Sequence, residues 1–226
     1  MIFIPRSASR APRCAVLGCC AMLLIVGLGN PGPRYARNRH NCGFEVLDGL
    51  RRRIDAPSWR DKFHGDFARA TLGKDDVALL RPMTYMNDSG RSVQAAMTFF
   101  RVPEARLLVV HDELDLPFGT LRLKEGGGHA GHNGLRSIFE HLGSGDFHRL
   151  RVGIGRPPRG WSAEVADWVL SDFSAEERAE LPAVVTKAVN ALLDVGVRGI
   201  AAATNALNTR PKPPKPPKDE PGTPEA

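Results

Sequence analysis

The chain has 226 residues, 42% apolar and 25% charged, with 23 glycines, 18 prolines and four cysteines. That length suits one α/β domain with a sizeable core, and the composition excludes collagen-like, disulfide-scaffold and wholly disordered chains. Of the formal charge of +6, residues 1–21 carry +3 and residues 209–226 carry +1, which leaves only +2 for 22–208, so a polyanion site must be a local patch.

Residues 14–29 form an almost uncharged stretch that is too short to span a bilayer and runs straight into Gly29-Asn30-Pro31-Gly32. Cleavage at the lipobox-like Val16-Leu17-Gly18-Cys19 would leave only a segment broken by Pro and Arg as the apolar region of an export signal. Residues 1–21 therefore read as an extension outside the fold, disordered or translated from a misplaced start, with Met22 as the expected first residue and export as the alternative. Cys14, Cys19 and Cys20 lie in that extension, which leaves Cys42 alone in the body. One free thiol fits a reducing cytoplasm.

Leu23–Val26 is an apolar run bounded by glycine, the mark of a buried strand. The spacing of Phe44, Val46, Leu47 and Leu50 predicts a helix over Asn41–Arg53. Phe67–Leu72 and Val77–Arg81 flank Gly73-Lys74-Asp75-Asp76 and read as a hairpin. A helix follows over Ser89–Phe100, and then a strand over 107–115 that delivers His111 and Asp112 at its carboxyl end. Gly119–Lys124 is a short strand, the glycine loop 126–134 opens a helix over Leu135–Leu142, and Leu150–Ile154 is another strand. Ser174 and Glu177 make a capping-box signature ahead of a stripe from Leu181 to Leu193. Pro182 inside that stripe predicts a kink or a later helix start. Residues 209–226 are Pro/Lys-rich and read as a solvated, disordered tail. The alternation predicts a single three-layer α/β/α domain over 22–208, around a mixed, mostly parallel sheet, with its site beyond the strands' carboxyl ends.

Gly27–Gly32 satisfies G-x-G-x-x-G directly after a strand, which alone suggests a dinucleotide. Pro31 and Pro33 remove amide donors and oppose a helix at the loop, and no acid ends a second strand to hold a ribose. The loop reads instead as a mount for the Asn30 amide. Polar groups gather in Asn30, Arg39-His40-Asn41, Met86-Asn87 and His111-Asp112-Glu113, and the glycine loop adds His129, His132 and Asn133. His40 and His132 are the base candidates, and Asp112 could fix an imidazole tautomer. Cys42 reads as core and there is no G-x-S-x-G elbow, so a water nucleophile is the economical chemistry. A metal held by His129, His132 and Asp112 or Glu113 has workable spacing, but three glycines make a poor rigid frame.

Leu24–Pro33, Tyr35, Arg39–Gly43, Pro82–Gly90, Val110–Pro117, Gly126–Leu135 and Phe147–Gly155 together resemble the bacterial peptidyl-tRNA hydrolase family, in order and through nearly all of 22–208. The resemblance implies an α/β/α domain, a monomer, and cleavage of the ester joining a peptide to the tRNA 3′ ribose, which recycles tRNA. It implies His40 as the catalytic base, Asp112 as its partner, and Asn30 as the group that distinguishes N-blocked peptidyl from free aminoacyl ends. Tyr35, Tyr85, Asn87 and Asn133 match substrate-contacting positions, and the tyrosines could stack on the terminal nucleotide. His132 resembles a second binding histidine, and Lys124 with Arg151 a clamp for tRNA phosphate. Peptidyl-tRNA is then the partner, with no cofactor, no metal and no membrane, in the cytoplasm. A non-catalytic RNA-binding relative is the alternative, against which Asn30, His40, Asn87 and Asp112 all speak.

Overall fold

The computed structural model describes residues 22–158 and 160–209; the expectations for the extension 1–21 and for the tail from 210 onward lie outside them. Seven strands are described: β1 (Leu23–Gly27), β2 (Arg60–Lys62), β3 (Gly65–Leu72), β4 (Asp75–Pro82), β5 (Leu107–Glu113), β6 (Leu121–Glu125) and β7 (His148–Gly153). Six α-helices accompany them: α1 (Cys42–Arg53), α2 (Ser89–Phe100), α3 (Asn133–Leu142), α4 (Val165–Val169), α5 (Ala175–Arg198) and α6 (Ile200–Asn208). The strands form one mixed sheet in the order β2-β3-β4-β1-β5-β7-β6. The block β4-β1-β5-β7 is parallel, while β2, β3 and β6 pair antiparallel at the flanks. Among the described residues no helix is long and apolar enough to cross a membrane.

The period-two alternation of β1 explains the layers. Leu23 and Ile25 face one core with Val46, Leu47 and Leu50 of α1 and Leu181, Val184 and Ala188 of α5. Leu24 and Val26 face the other, with Val93 and Met97 of α2 and Leu135 and Ile138 of α3. Both faces of β1 and of the first four residues of β5 are covered, so Leu23–Val26 and Leu107–Val110 are continuously apolar instead of alternating. Burying each such side chain contributes about 1.5–3 kcal/mol, which fixes strand register against the helices.

The α1 helix approaches β1 unusually closely. A Cβ on Gly43 would lie 2.5 Å from the backbone N and O of Leu28 and 2.6 Å from the Val110 carbonyl; one on Gly27 would lie 2.4 Å from the Gly43 carbonyl. Only hydrogen at both positions lets the helix start sit on the ends of β1 and β5.

Several element bounds differ from expectation by about two residues, with β4 starting at Asp75, β5 ending at Glu113 and β7 spanning His148–Gly153, and three further differences have a visible cause. The capping box is formed at Ser174, and α5 runs from it through Pro182 instead of starting later. Two reciprocal cap bonds and a long buried stripe offset the one backbone hydrogen bond that Pro182 removes. The β6 strand begins at Leu121, because Gly119 sits at φ 75° in the preceding turn. The helix after the glycine loop begins at Asn133, two residues early, because the His132 side chain caps it.

Candidate active site

The carboxyl ends of β1, β4 and β5 open into a cavity of about 720 Å³. It is lined by Asn30, Tyr35, His40, Tyr85, Asn87, Asp112, Lys124, His132, Asn133 and Arg151, the residues to which the family resemblance assigns roles, while Arg39 and Asn41 stand behind the lining. The chain delivers them from six separate segments, which is the arrangement expected at the carboxyl edge of a parallel sheet.

Asp112 sits on β5 with its side chain on the face shared by Leu108 and Val110, toward α1. His40 lies in the 3-10 turn Arg39–Asn41 that enters α1, and its Nδ1 is 2.8 Å from Asp112 Oδ1. The same oxygen lies 3.0 Å from His132 Nε2. Burial alone would raise the Asp112 carboxyl; His40 and His132 outweigh it and hold the group well below the usual carboxylate range. His40 Nδ1 therefore carries hydrogen toward the carboxylate. Its Nε2, which has no hydrogen-bond partner among the described residues, is left as the basic nitrogen of this cavity-lining ring.

Asn30 is held at three points. Its backbone N–H donates to Asn41 Oδ1 at 2.8 Å, and its carbonyl accepts from Asn41 Nδ2 at 2.9 Å. Its own Oδ1 accepts the Met86 N–H at 2.8 Å, so the amide can offer only its NH₂ to the cavity. The G-x-G-x-x-G loop thus spends its polar groups on Asn41 and Met86, and no α-helix opens from it. Asn41 and Met86 hold Asn30 in place, a task the sequence did not assign them; only their adjacency to His40 and Asn87 pointed to them.

Tyr85, Asn87, Asn133 and Lys124 are exposed at the rim, and Tyr35 is half-buried. Arg151 donates through Nε to Glu113 Oε2 at 2.7 Å, so a carboxylate already neutralises it. Arg149 is a buried cation that donates to the carbonyls of Gly127, Gly128 and Gly145 and pins the glycine loop. Arg39 is also buried. It bonds Ser171 Oγ, the Asp172 carbonyl and Glu177, and its guanidinium stacks 3.8 Å above the Trp168 ring. Neither buried arginine carries a periodicity signal, because Arg39 is held wholly and Arg149 mainly by partners more than 20 residues away in sequence. Cys42 is fully packed, and burial, then Asp112, push its thiol well above its ordinary range, which fits a core group and not a nucleophile.

His132, Asp112 and His40 form the one cluster of potential metal ligands among the described residues; His129 stands outside it, with Nδ1 accepting the Gly131 N–H.

Burial, then His132, hold the His111 imidazole down from its ordinary 6.5 to about 3. As pH falls, an unfolded chain protonates this group first. The stabilisation from neutral His111 is therefore complete above pH 6.5 and is lost progressively between 6.5 and about 3. Urea midpoints measured from pH 7 to pH 5 should fall, with His111 supplying up to about 1.4 kcal/mol per pH unit. In His111→Gln the decline should be shallower, and an identical slope would remove this group from acid sensitivity.

Comparison with known proteins gives one consistent result. The family model for peptidyl-tRNA hydrolase matches residues 24–215. A Sorangium cellulosum peptidyl-tRNA hydrolase is 60% identical over 191 residues, covering 84% of this chain and 86% of the relative. One from Geobacter metallireducens is 45% identical over 190 residues, 84% of this chain and 96% of the relative. The crystal structure of peptidyl-tRNA hydrolase from Acinetobacter baumannii superposes with a TM-score of 0.76 at 41% identity, covering 85% of this chain and 97% of that one.

Proposed function

This chain belongs to the peptidyl-tRNA hydrolase family and is a hydrolase, and from that premise we propose that His40 and Asp112 drive the cleavage of peptidyl-tRNA in the cavity they line. The observation that carries the mechanism is the His40–Asp112 pair at 2.8 Å, with His40 Nε2 left as the unpartnered base. Nε2 takes a proton from water as the water oxygen bonds to the acyl carbon of the ester. Asp112 stabilises the imidazolium that forms. When the bond from carbon to the ribose oxygen breaks, the imidazolium returns its proton to that oxygen. Peptide acid and free tRNA leave, and His40 is neutral again.

Asn30 supplies selectivity in this reading. A donor-only NH₂ rewards the carbonyl that blocks a peptidyl nitrogen and repels the ammonium of an unblocked aminoacyl end. The exposed Tyr85 ring and half-buried Tyr35 offer stacking surface to the terminal nucleotide. Lys124 is the exposed cation for phosphate, and Arg151 presents its remaining N–H groups while Glu113 holds its Nε. We assign the activity to a single catalytic domain over 22–208 that acts as a monomer in the cytoplasm; the buried, unpaired thiol of Cys42 fits a reducing compartment.

Cleavage of N-acetyl-aminoacyl-tRNA and of the unblocked aminoacyl-tRNA, compared under single turnover, tests this reading. The wild type should cleave the first and spare the second. Asn30→Asp keeps the Met86 acceptor but places a carboxylate where the NH₂ stood, so selectivity should fall by at least about tenfold, a difference of about 1.4 kcal/mol. Unchanged selectivity in the variant would detach Asn30 from the choice of substrate.

A further inference from the structure

Three imidazoles surround Asp112, and their hydrogen bonds fix which nitrogen of each carries a proton. His132 Nδ1 lies 3.1 Å from the backbone N of Gly134 and 3.3 Å from that of Leu135. Both partners can only donate, so Nδ1 holds a lone pair and Nε2 holds the hydrogen. Across the 3.0 Å contact to Asp112 Oδ1, His132 is therefore the donor. Neither of its nitrogens has a lone pair left for water or substrate, and a second proton at Nδ1 would face two N–H groups at a helix start. His111 Nδ1 is 2.6 Å from the Asp112 carbonyl, so that ring too is a donor, with its Nε2 buried.

We infer that His132 is the positioning residue of the His40–Asp112 pair: a neutral Nε2–H donor that joins the start of α3 to the carboxylate oxygen holding His40. The sequence resemblance suggests a second binding histidine; the hydrogen bonds assign the ring a different task. The inference rests on the reading of His40 as the base. An oxygen that accepts two N–H groups is less basic than one that accepts a single N–H, so His132 moderates how strongly Asp112 favours the imidazolium of His40.

The other charged and titratable groups facing this cluster are engaged by partners of their own or kept neutral by burial. On α1, Cys42 is kept protonated by burial, and Glu45 pairs with Arg178 of α5. On β5 and β7, Glu113 pairs with Arg151, while His111 is held neutral and Arg149 is engaged by loop carbonyls.

His132→Asn separates the two duties of the ring. Asparagine is a strong N-cap residue, so its Oδ1 can still accept from Gly134 and Leu135, but its side chain ends short of Asp112. The pH dependence of kcat/KM on N-acetyl-aminoacyl-tRNA should then shift, with the acid limb moving up by about half a unit to one unit as His40 protonates more readily. KM should stay within about twofold. A tenfold rise in KM with the limb unmoved would make His132 a substrate-binding group and overturn the inference; so would a profile unchanged in every respect. Nitrogen-15 spectra of the wild type give a second test that needs no variant. At neutral pH His132 should show the Nε2–H tautomer that its contacts require, and an Nδ1–H tautomer would overturn the assignment. Failure of the underlying reading looks different: His40→Ala would then turn over like the wild type, whatever His132→Asn does.

Discussion

Replacing His40 with alanine should lower single-turnover cleavage of N-acetyl-aminoacyl-tRNA by about 10²–10⁴-fold while leaving substrate affinity within a few-fold of wild type. The basic Nε2 is lost outright. His111 is pinned to the Asp112 carbonyl, and His132 spends its two nitrogens on Asp112 and the α3 amides, so neither neighbouring ring can stand in. The fold should survive, because Asp112 keeps the His132 donor and is not left as an unpaired buried charge. Thermal melts and tRNA binding would separate loss of chemistry from loss of structure. Wild-type turnover in a folded His40→Ala protein would end the base assignment.

The largest stability effect is expected at a residue with no side chain. Gly43→Ala places a methyl group 2.5 Å from the Leu28 backbone and 2.6 Å from the Val110 carbonyl, atoms that no rotamer change can clear. Intrinsic helix propensity alone would make the substitution favourable by about 1 kcal/mol. The clash should reverse that sign and cost about 3–5 kcal/mol, read as a drop in the urea midpoint at unchanged slope. Activity should fall more than stability alone explains, since α1 must lift away from β1 and carry His40 off Asp112. A neutral or stabilising result would show that α1 does not pack on the strand ends as described.

The central layers were legible because one physical signal dominates them. Leu23–Val26 and the run from Leu107 are apolar on both faces, and α1, α2 and α5 repeat apolar residues on one side. Elements without such a signal were not read. The three residues of β2 are all exposed, α4 buries none of its five, and α6 buries only Ala203, so none carries a hydrophobic period. The cavity-lining residues were legible as residue types near strand ends, and the family resemblance sorted them into roles. What stayed hidden was connectivity between distant segments. No local pattern announces that Asn41 clamps Asn30, that Arg149 gathers three loop carbonyls, or that one carboxylate oxygen serves two imidazoles. Those depend on how the helices settle on the sheet.

Glu177 has two attachments. Its carboxylate accepts the Ser174 N–H in the α5 capping box, and it also grips Arg39, the residue immediately before His40. The opening turn of α5 and the turn bearing His40 are thereby fastened by one side chain 138 positions from the arginine it holds. Fraying of that helix start would loosen His40 through Arg39, a residue that does not itself line the cavity. Heat inactivation would then precede global melting, and amide exchange at Glu177 and at Asn41 would share a common opening rate.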